Sequence, residues 1–509
     1  MGIALVSAAG LLAACSGTPQ STATGGSGGT AVAGSGSHDK LTIAIPNEPD
    51  TLDVLNSNPD TLLNWIGPNI AETLGKRSFY PDEVQPLLAT AWKQTSDTVW
   101  SITLRQGVKF SDGTEMKASD AVASITYGNT DNSSVAATYW VDIASAKATG
   151  DYTFDITTTK PDPAFPKRLP FIFVLPQSEL SADALASNLV GSGPYTLVQW
   201  NRGQDLELKA NDSYWGGTPK YKTVDFIVRP EASVRADTVR TGEADLALQM
   251  QADNIQGVKV LTEPGSDTAA FYLNTTGQAD GSIMTDIRIR QAVNYAIDRP
   301  TIIKSLFGGY AAPTDGQFNS TTMTGTDPNL KDFPYDPDKA KQLVQEAGDV
   351  GKTVTIVYPQ NTWNQGDELA QAVGAYIDAT GLKSQITGVD YNSWLTQHRS
   401  HPKGGDAPDL FMAYVGNVFY DSTMKGIPDM TTGSWLINDP KLTALANAAT
   451  TESDPAKRAA DGRAAWDYFA QNAMGLPVAI PEWITAVGAN VQFQARPDNV
   501  VYVESVTLG

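Results

Sequence analysis

The chain of 509 residues contains a single cysteine, Cys15. No intramolecular disulfide can form, so the fold rests on burial alone. Hydrophobic residues make up 41% of the chain, ample for a large core, and the length suits roughly two to four domains. The order of strand and helix signals then sets the fold class. Leu41, Ile43 and Ile45 alternate with polar or small residues, as a half-buried strand does. Asp97 to Arg105 and Asp151 to Thr158 read as further strands, and Tyr221 to Val228 as another. Pro194 to Trp200, a turn at Asn201-Arg202-Gly203, and Gln204 to Ala210 predict a hairpin. From about residue 286 helices intervene. Ile289, Val293, Ala296 and Ile297 share one helical face, and Pro300 suits the first turn of the next helix. Asp336-Pro337 opens a helix that Gly348 closes, Thr353 to Tyr358 is a strand, Asp367 to Thr380 a helix ended by Gly381, and Asp409 to Val415 a strand. Strands alternating with helices make an α/β protein.

The position of Cys15 carries a second message. It follows Leu12-Ala13-Ala14 at the end of an uncharged apolar stretch, Met1 to Ala14. This resembles a bacterial lipobox, at which the leader 1–14 is cleaved and Cys15 receives a lipid anchor. Met1-Gly2-Ile3 lacks the Lys or Arg that opens such leaders, so the expected start lies upstream. Residues 16–37 are mostly Gly, Ser and Thr, and 15–39 is expected to be a flexible tether spanning roughly 25 Å. The remaining chain has no apolar run of the roughly 18 residues a membrane helix needs. The expected location is extracytoplasmic, held to the membrane surface at Cys15. A net charge of -20 argues against nucleic acid as a partner.

Catalytic motifs fail on context. Gly25-Gly26-Ser27-Gly28-Gly29 fits a nucleophile elbow but lies in the tether. Gly348-Asp349-Val350-Gly351-Lys352-Thr353 resembles a phosphate loop, yet Glu346 stands where its first glycine belongs, and a strand follows instead of a helix. The three histidines are His38 in the tether and His398 and His401 in an expected surface loop. None has zinc-ligand spacing, so neither a metal site nor a cofactor is expected.

Five stretches in order resemble the family 5 solute-binding proteins of bacterial ABC importers, the dipeptide and oligopeptide type. They are Pro86 to Trp92, Trp100 to Ser124, the pair Gly191-Ser192-Gly193-Pro194-Tyr195 and Asn211-Asp212-Ser213-Tyr214-Trp215, Gly242-Glu243-Ala244-Asp245, and Asp286 to Arg299. The resemblance implies a periplasmic-binding-protein-like fold (cluster C type) of two α/β lobes around a hinged cleft plus a middle domain. It places lobe I at 40–75, 172–272 and 471–509, the middle domain at 76–171, and lobe II at 273–470. It implies a monomer that closes on its ligand and delivers it to permease and ATPase subunits.

Peptide-binding members carry a "G-W-x-x-D-Y" stretch whose aspartate holds the peptide amine. Ala413 to Val418 corresponds to it here, with Tyr414 for the Trp and Asn417 for the Asp. An amide does not neutralise a buried ammonium, which leaves Asp421 as a substitute. Tyr139, Trp140, Asn361, Trp363, Tyr391, Trp394 and Trp483 are the further candidate ligand contacts. Short peptides are the first expected ligand. An oligosaccharide or other uncharged solute is the alternative that Asn417 favours. A secreted lipoprotein enzyme and a surface receptor for signalling peptides are the remaining readings.

Overall fold

The computed structural model describes residues 39–509, apart from short stretches at 57–59, 80–82, 131–136, 141, 278–280, 364, 401–403, 405–406 and 432–434. Cys15, the leader, the tether and His401 lie outside the described residues. No helix among the described residues is long and apolar enough to cross a membrane.

The predicted elements form close to where the sequence signals them. Helix Pro337–Ala347 starts with the Asp336 side chain accepting from the Lys339 amide at 2.9 Å. It ends at Gly348, whose φ of 79° is the left-handed turn that glycine makes without strain. The hairpin comes out as Tyr195–Asn201 and Asp205–Ala210, antiparallel. Helices Pro440–Thr451 and Pro455–Gln471 and strand Gly475–Val487 are among the elements that carry no prediction.

One twelve-stranded sheet organises the described residues. At one end Thr353–Pro359 lies between Lys383–Val389 and Leu410–Gly416, parallel to both. At the other, Lys40–Ile45 lies parallel to Thr223–Val228, which the hairpin strand Asp205–Ala210 flanks. Gly475–Val487 joins the two ends. Its first residues pair with Asp267–Leu273, which also borders Leu410–Gly416, and its last with Lys259–Pro264 and Leu246–Ala247. The chain therefore crosses between the halves at Gly265-Ser266 and near Pro481. The expected boundaries at 272/273 and 470/471 differ from these crossings, because Asp267–Leu273 hydrogen-bonds into the second half.

The central strands Asp267–Leu273 and Leu410–Gly416 are buried on both faces and read as nearly continuous apolar runs, whereas edge strands such as Asp205–Ala210 and Lys383–Val389 expose alternate residues. In the second half Val293, Val344 and Val373 cover one face, while Trp466, Phe469 and Leu442 cover the other. In the first half, one face shares a core with a separate four-stranded antiparallel sheet, Ala89–Ser96, Val99–Leu104, Thr153–Thr158 and Ile143–Gly150. Trp100 and Phe110 of the 100–124 stretch sit in that shared core.

The 191–215 stretch is explained by one buried carboxylate, Glu72, 4% exposed. Ser192 Oγ and Trp215 Nε1 donate to its Oε2 at 2.8 and 2.7 Å, and Tyr214 OH donates to Oε1 at 2.9 Å. Gly191 and Gly193 are required beside it, since a Cβ on either would fall within 2.7 Å of the Ile70 carbonyl oxygen. Burial outweighs the three donors and pushes Glu72 up to about 7. A raised carboxyl keeps its proton in the native state after the unfolded chain has lost it. Stability from this group is present at low pH and is lost as pH rises from about 4.5 to about 7. Denaturation from pH 4.5 to 8 should show Glu72→Gln losing that decline, worth up to roughly 3 kcal/mol relative to wild type. Parallel pH profiles for the two proteins would count against the shift.

Candidate functional site

Where the chain crosses between the halves, the sheet and the segments around it enclose a cavity of about 450 Å³. A further space of about 230 Å³ shares Asp267, Trp363, Tyr414 and Trp483 with it. The larger has the dimensions of a small-molecule site.

Aromatic side chains build one part of the wall. Tyr414 comes from strand Leu410–Gly416, and Trp363 from the loop after Thr353–Pro359; their rings stack at 4.9 Å and 27°. Trp394, on helix Tyr391–Ser400, meets Trp363 edge-on at 5.2 Å and is fixed by its Nε1 donating to the Met412 carbonyl at 3.0 Å. Tyr391 and His398 stack on Trp394 at 5.7 and 5.4 Å. Residues 391, 394 and 398 lie on one helical face, so the helix delivers all three together. Trp483 is oriented by donating to the Pro497 carbonyl at 3.1 Å. Tyr139 stacks on Phe171 at 4.5 Å and 13°.

Six expected contacts thus line the cavity: Tyr139, Trp363, Tyr391, Trp394, Tyr414 and Trp483. Four expected contacts lie off it. Trp140 is buried and donates from Nε1 to the Leu55 carbonyl at 3.0 Å, packed on Gly128. Asn361 is exposed in the loop before Trp363, its amide held by Asp367 at 2.9 Å. Asn417 is fully buried, and its Nδ2 faces three acceptors: Asn319 Oδ1 at 3.0 Å, the Asp421 carbonyl at 3.2 Å and the Lys425 carbonyl at 2.9 Å. Asp421 is also fully buried, its Oδ1 accepting from Thr423 and its Oδ2 3.6 Å from Arg458. Asn417 and Asp421 therefore tie down the loop 417–425 and do not line the space a solute would fill. His398, expected in a surface loop, instead sits on a helix in the cavity wall.

Charged groups complete the lining: Arg77, Asp267, Lys425, Asp429 and Asp498. None was singled out in the sequence. Lys425 pairs with Asp429 at 2.9 Å. Asp498 is gripped by Arg496 through two hydrogen bonds of 2.9 and 2.8 Å. Burial raises Tyr414 and Tyr420 above the ordinary tyrosine value, so both hydroxyls stay protonated. No group of three or more His, Cys, Asp or Glu suited to a metal ion occurs among the described residues.

Asn417→Asp tests the assignment of the loop. It puts a buried carboxylate in front of three oxygen acceptors and removes both donors. Chemical denaturation should show a loss of ~3 kcal/mol or more. A variant as stable as wild type would return Asn417 to the cavity.

Comparison with known proteins agrees with this architecture. The model of the bacterial extracellular solute-binding proteins, family 5 (middle part), matches residues 83–456. A glutathione-binding protein, GsiB, of Shigella flexneri is 25% identical over 503 residues, covering 92% of this chain and 94% of that protein. HbpA2 from Haemophilus parasuis superposes with a TM-score of 0.80 at 21% identity, covering 92% of this chain and all of that one. The periplasmic binding protein DppA from Helicobacter pylori, solved with the peptide STSA, gives 0.73 at 22% identity, covering 92% and 98%. With a family model matched over most of its length, its sheet crossing between two halves and a cavity at the crossing, the chain belongs to the bacterial extracellular solute-binding proteins of family 5.

Proposed function

We propose that this protein captures short peptides or peptide-like solutes outside the cytoplasmic membrane and presents them to the permease of an ABC importer. The observation that carries the reading is the cavity where the chain crosses between the halves, lined by stacked aromatics together with side chains of both charge signs. Aromatics suit the apolar side chains of a peptide, and fixed charges suit its termini. Relatives named for glutathione and neighbours solved with peptides support the same class. The oligosaccharide alternative rests on Asn417, whose Nδ2 donates within the loop and to Asn319, which supports the peptide reading over it. Binding selects the closed arrangement and involves no covalent step.

The lipid anchor at Cys15 belongs to this proposal and is supported by the sequence Leu12-Ala13-Ala14-Cys15. Cys15→Ser should abolish incorporation of labelled fatty acid and release the protein from the membrane fraction. Retention in that fraction without label would sink the anchor.

Thermal shift of residues 38–509 against di- to pentapeptides, glutathione and oligosaccharides tests the solute class. A solute at 100 times its dissociation constant adds about 2.7 kcal/mol of stability. Shifts with peptides or glutathione are expected, and shifts with sugars alone would overturn the peptide reading. Trp363→Ala should weaken the responding solute by about tenfold or more while leaving the fold intact. Unchanged affinity would remove the aromatic wall from the site.

A further inference from the structure

Two residues in the cavity wall bring buried polar atoms without a hydrogen-bond partner to the space a solute would fill. Arg77, at the end of strand Gly75–Arg77, is only 8% exposed. Among the described residues its guanidinium makes one ion-pair contact, to Asp498 Oδ2 at 3.3 Å from Nε, and that approach does not make a hydrogen bond. Asp498 is already committed: both its oxygens accept from Arg496, and the Val500 amide donates to Oδ1 at 3.2 Å. The guanidinium carbon lies 4.8 Å from the centre of the Phe171 ring. Arg235, also buried, makes four hydrogen bonds to carbonyl oxygens, and Arg299 reaches three carbonyls and an amide oxygen, whereas buried Arg458 likewise has an unpartnered Nε and only approaches Asp421 at 3.6 Å. An Arg with five donors, buried in a cavity wall and making no hydrogen bond, is expensive unless something else accepts from it.

Tyr420 is the second. It is 3% exposed, and its hydroxyl has no partner among the described residues. Its backbone φ of 52° is a left-handed conformation that a bulky aromatic residue adopts only under constraint. The constraint is visible on both sides. Phe419 packs into the core of the first half, against Tyr139 and Phe171, and Asp421 is locked to Thr423. Loop 417–421 thus leaves the second half at Gly416 and carries Tyr420 to the same cavity that Arg77 lines.

Arg77, Arg496 and Asp498 together carry one formal positive charge in excess. We propose that Arg77 and Tyr420 form the seat for a carboxylate on the bound solute, with Arg77 supplying the charge and Tyr420 a hydroxyl donor. A planar carboxylate fits the guanidinium fork and accepts from the phenol at the same time. Asp267 lines the same cavity, so the site takes a solute with one carboxylate placed here in preference to a polyanion. Because Arg77 belongs to the first half and Tyr420 comes on a loop from the second, the carboxylate ties the halves together, and ligand charge is coupled to closure.

This inference rests on the solute-capture reading and is separable from it. A panel of di- to tetrapeptides is titrated into residues 38–509, each peptide as the free acid and as its C-terminal amide, with maltotriose alongside. The expected result is that the acid of a responding peptide binds about 30-fold or more tightly than its amide, the scale of a truncated buried charge pair. Arg77→Gln should bring the acid down to the affinity of the amide. Tyr420→Phe should weaken the acid roughly tenfold while leaving the melting temperature of the ligand-free protein unchanged or higher, because it removes an unpartnered buried hydroxyl. A residue of purely structural importance would lower that temperature. Equal binding of acid and amide overturns the carboxylate seat and leaves peptide capture standing. Binding of maltotriose alone overturns the seat and the peptide class together, and no binding by any probe counts against both. Should Arg77→Gln fail to fold, the acid–amide contrast in wild type and the Tyr420→Phe pair decide the matter.

Discussion

Strand Gly475–Val487 is the element on which both halves of this molecule are built. Its first residues complete the sheet of the second half and its last complete that of the first. The neighbouring route, Lys259–Pro264 into Asp267–Leu273, crosses beside it through Gly265-Ser266. Gly265 is needed there because a Cβ would sit 2.9 Å from the Pro481 carbonyl oxygen. Two adjacent extended crossings with a glycine between them permit rotation with little loss of sheet pairing, which is how a hinge works physically. The cavity opens at this crossing, so any solute in it touches residues whose relative placement the hinge controls. Asp267 and Trp483, one on each crossing strand, both line it.

A third connection shapes the site. Loop 417–421 leaves the second half and inserts Phe419 into the core of the first. While Asn417 Oδ1 and Asp421 Oδ2 have no hydrogen-bond partner among the described residues, Asn417 Nδ2 and Asp421 Oδ1 hold this loop through buried hydrogen bonds. Their role is to present Val418 and Tyr420 to the cavity. Polar residues that fix a loop and residues that line the cavity thus alternate within a few positions. A single register step exchanges the two roles.

That alternation explains what the sequence makes legible here. Helix Pro337–Ala347 announces itself through Asp336 and Gly348, since caps are local chemistry. The 191–215 stretch is recognisable because three of its side chains and two of its glycines serve one buried carboxylate. Six aromatic candidates reach the cavity from different settings: Trp363 from a loop after a strand, Tyr391, Trp394 and Tyr139 from helices, Tyr414 and Trp483 from strands. Tyr139 and Trp140 show the limit: they are neighbours in sequence, yet one faces the cavity and the other caps the Leu55 carbonyl. Arg77 and Tyr420 gave no signal at all. What sets them apart is the hydrogen bonds they do not make, and that depends on Asp498, Arg496 and Phe171, all remote in sequence.

The most direct measurement is a crystal structure of residues 38–509 grown with the solute that gives the largest thermal shift. The account predicts electron density for that solute in the cavity at the crossing, against Trp363, Tyr414 and Trp483. Density for the solute at any other place, or an empty cavity with the solute bound to the outer surface, would contradict it.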